Sequence, residues 1–314
     1  MGLLTTTTGS FPKPRALKHA RRRFRDEEID AMELGQEEEK ALADVIALQE
    51  HLGLSILTDG EMTRADLVAH YAGRLEGVEE GLLVRCWGNR YVRRPRITGP
   101  IERTASILAD EWKKAQEHTS LPVRAIVTGP YTLAHWSYDE HYPTRKACAQ
   151  AFASIVAEEV ADLAKAGATE IQLDEPALGA DREEILWAAD LIGEIGAARG
   201  SARLWALVGF GCPDPDWSAL ATLPIDCLMI GLAHQGIESD DGLALIAAKM
   251  TLAAGVIDSN GTEIESRDQV SERIRRVAQH VKEDRLILTT DTGLRGLAPA
   301  AAEEKVQRLV EAAG

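Results

Sequence analysis

The sequence contains no run approaching the roughly 18 consecutive apolar residues that a membrane helix requires, and its charged residues, 27% of the chain, are spread along the whole length. A helical transmembrane protein is thereby excluded. Residues 1–10 lack a basic start, a long apolar stretch and a small-residue cleavage site, so no secretory signal is expected and a cytoplasmic protein is predicted. Positive charge is in short supply. With 35 Lys and Arg against 50 Asp and Glu, the formal net charge is -15, whereas proteins that bind a phosphate backbone gather Lys and Arg on one face. Neither nucleic acid nor a membrane is expected as a partner. Two basic clusters are local. Arg21, Arg22, Arg23 and Arg25 are balanced by Asp26, Glu27 and Glu28 as on a solvated helix face, and Arg90, Arg93, Arg94 and Arg96 surround Tyr91 in a surface or anion-contacting loop. Cysteine is sparse too. Cys86, Cys148, Cys212 and Cys227 form no CxxC pair, and reduced thiols are expected.

What is present is an alternation. Apolar runs with strand character occupy residues 3–11, 55–61, 124–129, 170–176, 203–212, 226–233, 250–258 and 285–293. Between them lie amphipathic patterns, such as 147–166 and 182–198, whose apolar residues recur every three or four positions as on one helix face. Runs that are mostly apolar throughout describe strands covered on both faces, as in a parallel sheet wrapped by helices. Eight such units in 314 residues, with no GxGxxG after the first run, favour a (β/α)8 TIM barrel over a doubly wound open sheet. The expected architecture is α/β, a single TIM-barrel domain over residues 1–314.

The runs end in groups able to do chemistry: Ser10, Asp59 with Glu61, Tyr131 through Trp136, Asp174 with Glu175, Cys212, His234, Asp258 and Asp291. In a parallel barrel such ends share one rim, where active sites of this fold are built. Each of them taken singly is also explained as a helix cap or turn residue. Gathered carboxylates, however, repel one another unless a cation, a substrate amine or a proton is shared among them. A cationic or metal-bearing small-molecule ligand is therefore expected, with Asp174, Glu61, Asp258 and Asp291 as the candidate catalytic carboxylates.

Six phrases narrow this further. Thr8-Gly9-Ser10-Phe11-Pro12, Thr58-Asp59-Gly60-Glu61, Thr128-Gly129-Pro130-Tyr131-Thr132-Leu133, Trp136-Ser137, Gln172-Leu173-Asp174-Glu175-Pro176-Ala177-Leu178 and Gly255-Val256-Ile257-Asp258 follow one another along the chain. Together they resemble the catalytic C-terminal barrel of cobalamin-independent methionine synthase, with its shorter archaeal-type relatives and the coenzyme M alkyltransferases. The resemblance implies transfer of a methyl or alkyl group to a thiol, with zinc lowering the thiol's pKa and holding the thiolate. It also implies roles: Ser10 and Glu61 grip the amino-acid end of the thiol substrate, Asp174 takes its ammonium, and Trp136 lies near a flat methyl-donor ring such as a reduced pterin. His234 is placed with the substrate-binding residues.

The family's zinc set is largely replaced. Its His-x-Cys reads Phe210-Gly211-Cys212, its Glu on the sixth strand falls at Gly231, and its last Cys falls at Thr292 in Asp291-Thr292-Gly293-Leu294. Cys212 alone keeps its ligand type, because Phe and Gly offer no side-chain donor and Thr is a poor one beside thiolate or imidazole. To rebuild a site, Cys212 would need His234 together with Asp291 or Asp258. Without zinc, a thiol of pKa about 8.5 is only a few per cent ionised at neutral pH, so a cation such as Arg64, Arg90 or Arg295 must stabilise the thiolate. The family histidine after the seventh strand is also absent, the segment being Asp258-Ser259-Asn260-Gly261, and proton delivery to a folate leaving group loses its agent. Full-length family members carry a further N-terminal half that helps hold a polyglutamylated folate. The donor here, folate or another methyl carrier, and a partner protein that delivers it stay open.

Three functions are compatible with these residues. The first is a methionine-synthase-like transferase that moves a methyl or small alkyl group to a homocysteine-like thiol. The second is a zinc-free divergent enzyme in which Asp59, Glu61, Asp174, Glu175, Asp258 and Asp291 perform acid/base cleavage or rearrangement of an amino-acid-like substrate. The third is a non-catalytic relative that binds the same ligands.

Overall fold

The computed structural model, which describes residues 2–71, 73–87, 90–209, 214–233 and 240–314, follows the alternation written in the sequence. In chain order the elements begin with β1 (Leu4–Thr5), α1 (Arg15–Arg25), α2 (Ala31–Leu52), β2 (Leu75–Glu79), β3 (Leu83–Trp87), β4 (Arg90–Arg93), β5 (Arg96–Arg103) and α3 (Ala109–Glu117). Next come β6 (Ala125–Thr128), α4 (Pro130–Trp136), β7 (Tyr138–Asp139), α5 (Arg145–Ala166), β8 (Glu170–Glu175), α6 (Arg182–Ala197), β9 (Arg203–Val208) and α7 (Trp217–Leu220). The last are β10 (Cys227–Gly231), α8 (Asp240–Lys249), β11 (Thr251–Ile257), α9 (Arg267–Ala278), β12 (Leu286–Thr290) and α10 (Pro299–Ala313).

Helix boundaries follow local chemistry. Asp30 and Glu33 form a capping box at the start of α2, whose end is Gly53 at φ 84°. Thr144 caps α5 through the Ala147 N–H, and Gly167 at φ 107° closes it. Caps of this kind satisfy the orphan N–H groups of the first turn, and a left-handed glycine releases the chain at the last. No helix of the described residues is long and apolar enough to cross a membrane.

The chain divides into two compact units, one of Met1–Thr63, Lys113–Arg124 and Met229–Gly314, the other of Arg64–Trp112 and Ala125–Leu228. In the first, β1, β12 and β11 run parallel, with Leu4 opposite Ile287 and Leu252 opposite Leu286. In the second, β6, β8 and β9 run parallel, with Ala125 opposite Ile171 and Glu170 opposite Arg203. Every residue of β12 is buried, as is all of β8 after Glu170. That double-sided burial is what the unbroken apolar runs predict.

Two features depart from the eight-run scheme. Residues 55–61 form a single parallel bridge, Leu57 to Val123, in place of a strand. The Leu57 N–H donates to the Pro122 carbonyl at 2.9 Å, and the chain then turns through Gly60 and Glu61 at φ 63° and 54°. Residues 75–103 hold antiparallel pairs that the runs did not suggest, β2 with β5 and β3 with β4. β2 and β5 mix buried with exposed positions, and β3, β4 and β5 carry arginines, so no apolar run marks them. Of Arg90, Arg93, Arg94 and Arg96, expected in a loop, Arg90 and Arg93 lie in β4 and Arg96 opens β5; Arg93 pairs with Glu80 and Arg96 with Glu79 and Glu140.

The turn after residue 57 is held from beneath by α2. Gln49, fully buried, accepts the Thr58 N–H at 3.0 Å and donates to the Thr58 carbonyl at 2.7 Å, imitating a strand neighbour. Gln49→Leu would leave both backbone groups buried and unpaired, and it is expected to lower stability by about 2–3 kcal/mol, read as a shifted midpoint at constant slope in urea unfolding.

Candidate active site

In the first unit, the segment after β1 and the turn after Thr58 are laced together. The Thr58 hydroxyl donates to the Gly9 carbonyl at 2.9 Å, the Phe11 N–H donates to the Gly60 carbonyl at 3.1 Å, and the Lys13 ammonium donates to the Glu61 carbonyl. The Asp59 carboxylate accepts the Glu61 N–H at 2.9 Å, an aspartate turn that leads into Glu61. Glu61 is buried and left-handed at φ 54°, a conformation that costs a non-glycine residue about 1–3 kcal/mol and that recurs at ligand clamps. Arg21 supports the same turn through the Met62 carbonyl. Burial, then the nearby positive charges of Arg295 and Arg21, lower the Lys13 amine to about 7 against the opposing pull of Glu61 and Asp59. Lys13 was not among the residues that the motifs singled out, although it directly follows the Gly-Ser-Phe-Pro phrase.

Ser10 belongs to this network. Its carbonyl accepts the Leu294 N–H at 2.8 Å, and its hydroxyl packs against Gly293, where a Cβ would come within 2.1 Å of the oxygen and force the hydroxyl to rotate. Asp291, at the end of β12, accepts the Ser259 N–H at 2.8 Å, and the Ser259 hydroxyl donates to the Thr292 carbonyl at 2.8 Å. Asp258 accepts the N–H groups of Asn260 and Gly261 at 2.7 and 3.0 Å, so its carboxylate shapes the turn there. A Cβ at Gly231 would lie 3.0 Å from Asp291 Cβ and 3.1 Å from its carbonyl oxygen, a tight contact that a shift of a few tenths of an ångström would relieve.

In the second unit, Asp174 closes β8, buried, with Gln172 donating to its carboxylate at 2.5 Å. Its neighbour Glu175 turns away to cap α4, accepting the N–H groups of Tyr131 and Thr132 at 3.0 and 2.7 Å. Gly129 leaves room for this, since a Cβ on it would overlap the Glu175 carboxyl group. Burial pushes Glu175 up to about 7 in spite of those bonds. Tyr131 packs inside, its ring stacked on His135 at 5.5 Å and near Trp187 at 5.3 Å. Trp136, the last residue of α4, keeps 38% of its surface exposed, as a platform for a flat ligand requires. Arg64 is buried and engages the Ile126 carbonyl at 2.8 Å.

The structure therefore brings Ser10, Asp59, Glu61, Asp258 and Asp291 into one unit, and Trp136, Asp174 and Glu175 into the other. Phe210, Cys212 and His234 lie outside the described residues, as does the side chain of Arg90. Among the described residues no group of three His, Cys, Asp or Glu is arranged to hold a metal ion. Cys148 and Cys227 are buried free thiols.

A family model, "Cobalamin-independent synthase, Catalytic domain", matches residues 3–314. The methionine synthase of Sulfolobus acidocaldarius is 31% identical over 98% of this chain and 91% of its own length. The 5-methyltetrahydropteroyltriglutamate-homocysteine methyltransferase of Mycolicibacterium paratuberculosis is 32% identical over 99% of this chain, which spans 43% of that protein. Among solved structures, a B12-independent methionine synthase from a Shewanella species, in complex with selenomethionine, matches with a TM-score of 0.88 at 24% identity, covering 100% of this chain and 97% of that one. The fold is shared with that structure.

Glu175 yields a pH prediction. Its folded value, about 7, stands above the ordinary 4.5, so its contribution to stability is fully present below pH about 4.5 and is lost as pH rises through about 7. Glu175→Gln is expected to flatten that decline, worth up to about 3 kcal/mol, in urea unfolding followed from pH about 4 to about 8.

Proposed function

Because the chain belongs to the cobalamin-independent synthase catalytic-domain family, we propose that it transfers a methyl or small alkyl group to a homocysteine-like thiol, as a single (β/α)8 domain in the cytoplasm. The observation that carries this reading is the likeness to named methionine synthases over nearly the full chain. In this reading Ser10 and Glu61 bind the amino-acid end of the thiol, Asp174 binds its ammonium, and Trp136 lies against the methyl donor. A buried carboxylate holds an ammonium well, since few waters compete for it. Folate or another small methyl carrier is the co-substrate.

The family is zinc-dependent. The residues of this chain do not fit a family-type zinc. Gly231 and Thr292 stand at ligand positions, the first with no side-chain donor and the second with a poor one, and the Asp291 carboxylate beside them already accepts the Ser259 N–H. No step is therefore routed through a metal. Stabilising a thiolate falls to cationic side chains, and Arg295, whose charge is felt at the buried Lys13 amine of the first unit, is our candidate. Asp291 and Asp258 are proposed as proton-handling groups in the catalytic step. The missing donors at Gly231 and Thr292 favour a second reading, in which the chain kept the amino-acid grip and changed the reaction to acid/base cleavage or rearrangement.

Purified protein is expected to form methionine from L-homocysteine and a methyl-tetrahydropteroylglutamate or another methyl carrier. It is expected to contain far less than one zinc per chain by elemental analysis and to keep its rate within about twofold after dialysis against a chelator. One tightly held zinc whose removal abolishes transfer would overturn the metal-free mechanism. Turnover of an amino acid with no donor present would select the second reading instead. Glu61→Gln is expected to raise KM for the thiol by about 10- to 100-fold, the loss of one charge-assisted contact, in steady-state kinetics.

A further inference from the structure

We propose that Lys13 is a positioning residue, a strut that ties the segment bearing Ser10 to the turn bearing Glu61 and so presets the grip on the substrate's amino-acid end. The inference rests on the functional reading above, which gives Ser10 and Glu61 that role. Lys13 lies three residues beyond Ser10 on the same segment, and its ammonium reaches across to the main-chain carbonyl of Glu61. It is 6% exposed. An ammonium is buried at a heavy cost in hydration unless it is well bonded, and here one of its bonds is spent on a carbonyl whose residue holds an unfavourable backbone angle.

That angle is the second observation. Among the described residues, the non-glycine positions with positive φ are Glu27 and Glu61. Glu27 is exposed just beyond α1, where solvent can accommodate any side chain direction, but Glu61 is buried. Relaxing Glu61 to negative φ would swing its side chain away from its present direction, so whatever holds φ also aims the carboxylate. Its N–H is held by Asp59 at 2.9 Å and its carbonyl by Lys13, so the peptide groups on both sides of the Glu61 Cα are pinned. Phe11 and Gly9, which flank Ser10, bond to the Gly60 carbonyl at 3.1 Å and the Thr58 hydroxyl at 2.9 Å. Lys13 adds a hydrogen bond at the far end of this seam, in a buried setting where little water competes for it. The groups whose charge it feels are Arg295, Arg21, Glu61 and Asp59.

The test uses the full chain with Lys13→Met and Lys13→Arg. Hydrogen exchange of the amides of residues 60–62 in the ligand-free protein reads the strut directly, and steady-state kinetics with L-homocysteine reads its consequence. Lys13→Met is expected to speed that exchange and to raise KM for L-homocysteine by roughly tenfold or more while kcat stays within about threefold. Lys13→Arg, which keeps the charge and the donors, is expected to restore both to within about threefold of the parent. Unchanged exchange in Lys13→Met overturns the proposal, as does a loss confined to kcat or a failure of Lys13→Arg to rescue. Should Lys13→Met not fold, Lys13→Gln, with a neutral donor of shorter reach, replaces it in the same comparison. A parent protein that turns over no amino-acid thiol sinks the functional reading, and the exchange comparison then decides the strut alone.

Discussion

Where a parallel strand ends, the following backbone N–H groups lose their sheet partners and must find acceptors elsewhere. In this protein carboxylates meet that need. Asp59 takes the Glu61 N–H, Glu175 takes those of Tyr131 and Thr132, Asp258 takes those of Asn260 and Gly261, and Asp291 takes that of Ser259. Each bond fixes a turn that carries or adjoins a candidate binding residue. Capping and chemistry are therefore not rival explanations for these acids: the same carboxylate shapes the loop and supplies its charge.

That dual use bears on metal binding. A carboxylate that is already accepting backbone N–H groups has its lone pairs partly committed, and a ligand set must be completed by neighbours with free donors. Around Asp291 the neighbours are Gly231, Gly255 and Thr292; a Cβ on Gly255 would overlap the Asp291 backbone at 2.5 Å, and one on Gly231 would sit in tight contact with Asp291 at 3.0 Å.

The strained turn at Glu61 shows how much of this unit is spent on one side chain. A buried glutamine, an aspartate turn, an arginine and a lysine all converge on residues 58–62. Such over-determination is what allows an unfavourable φ to persist. In the other unit the corresponding investment is Glu175, whose two bonds fix the start of the short helix that ends at Trp136.

The sequence by itself determined the parallel strands from residue 125 onward, the helices α5 and α6, and the family. Apolar runs matched β6 and β8 to β12 because burial on both faces leaves a composition signature, and α5 and α6 fell within two residues of the predicted 147–166 and 182–198 because capping is local. Its motifs and strand ends also supplied Ser10, Glu61, Trp136, Asp174 and Asp291 as candidates, whose roles remain proposals. The antiparallel strands of residues 75–103 escaped it, since half-exposed, arginine-rich strands look like loops in composition. Only the tertiary structure decided what each tip does locally. That Gln49 mimics a strand, that Lys13 bonds to Glu61, and that Asp291 packs against Gly231 depend on contacts between residues 9, 48 and 60 positions apart that belong to different elements. Such contacts leave no periodicity in the chain, because they are set by how elements pack and not by the propensities of the residues that make them.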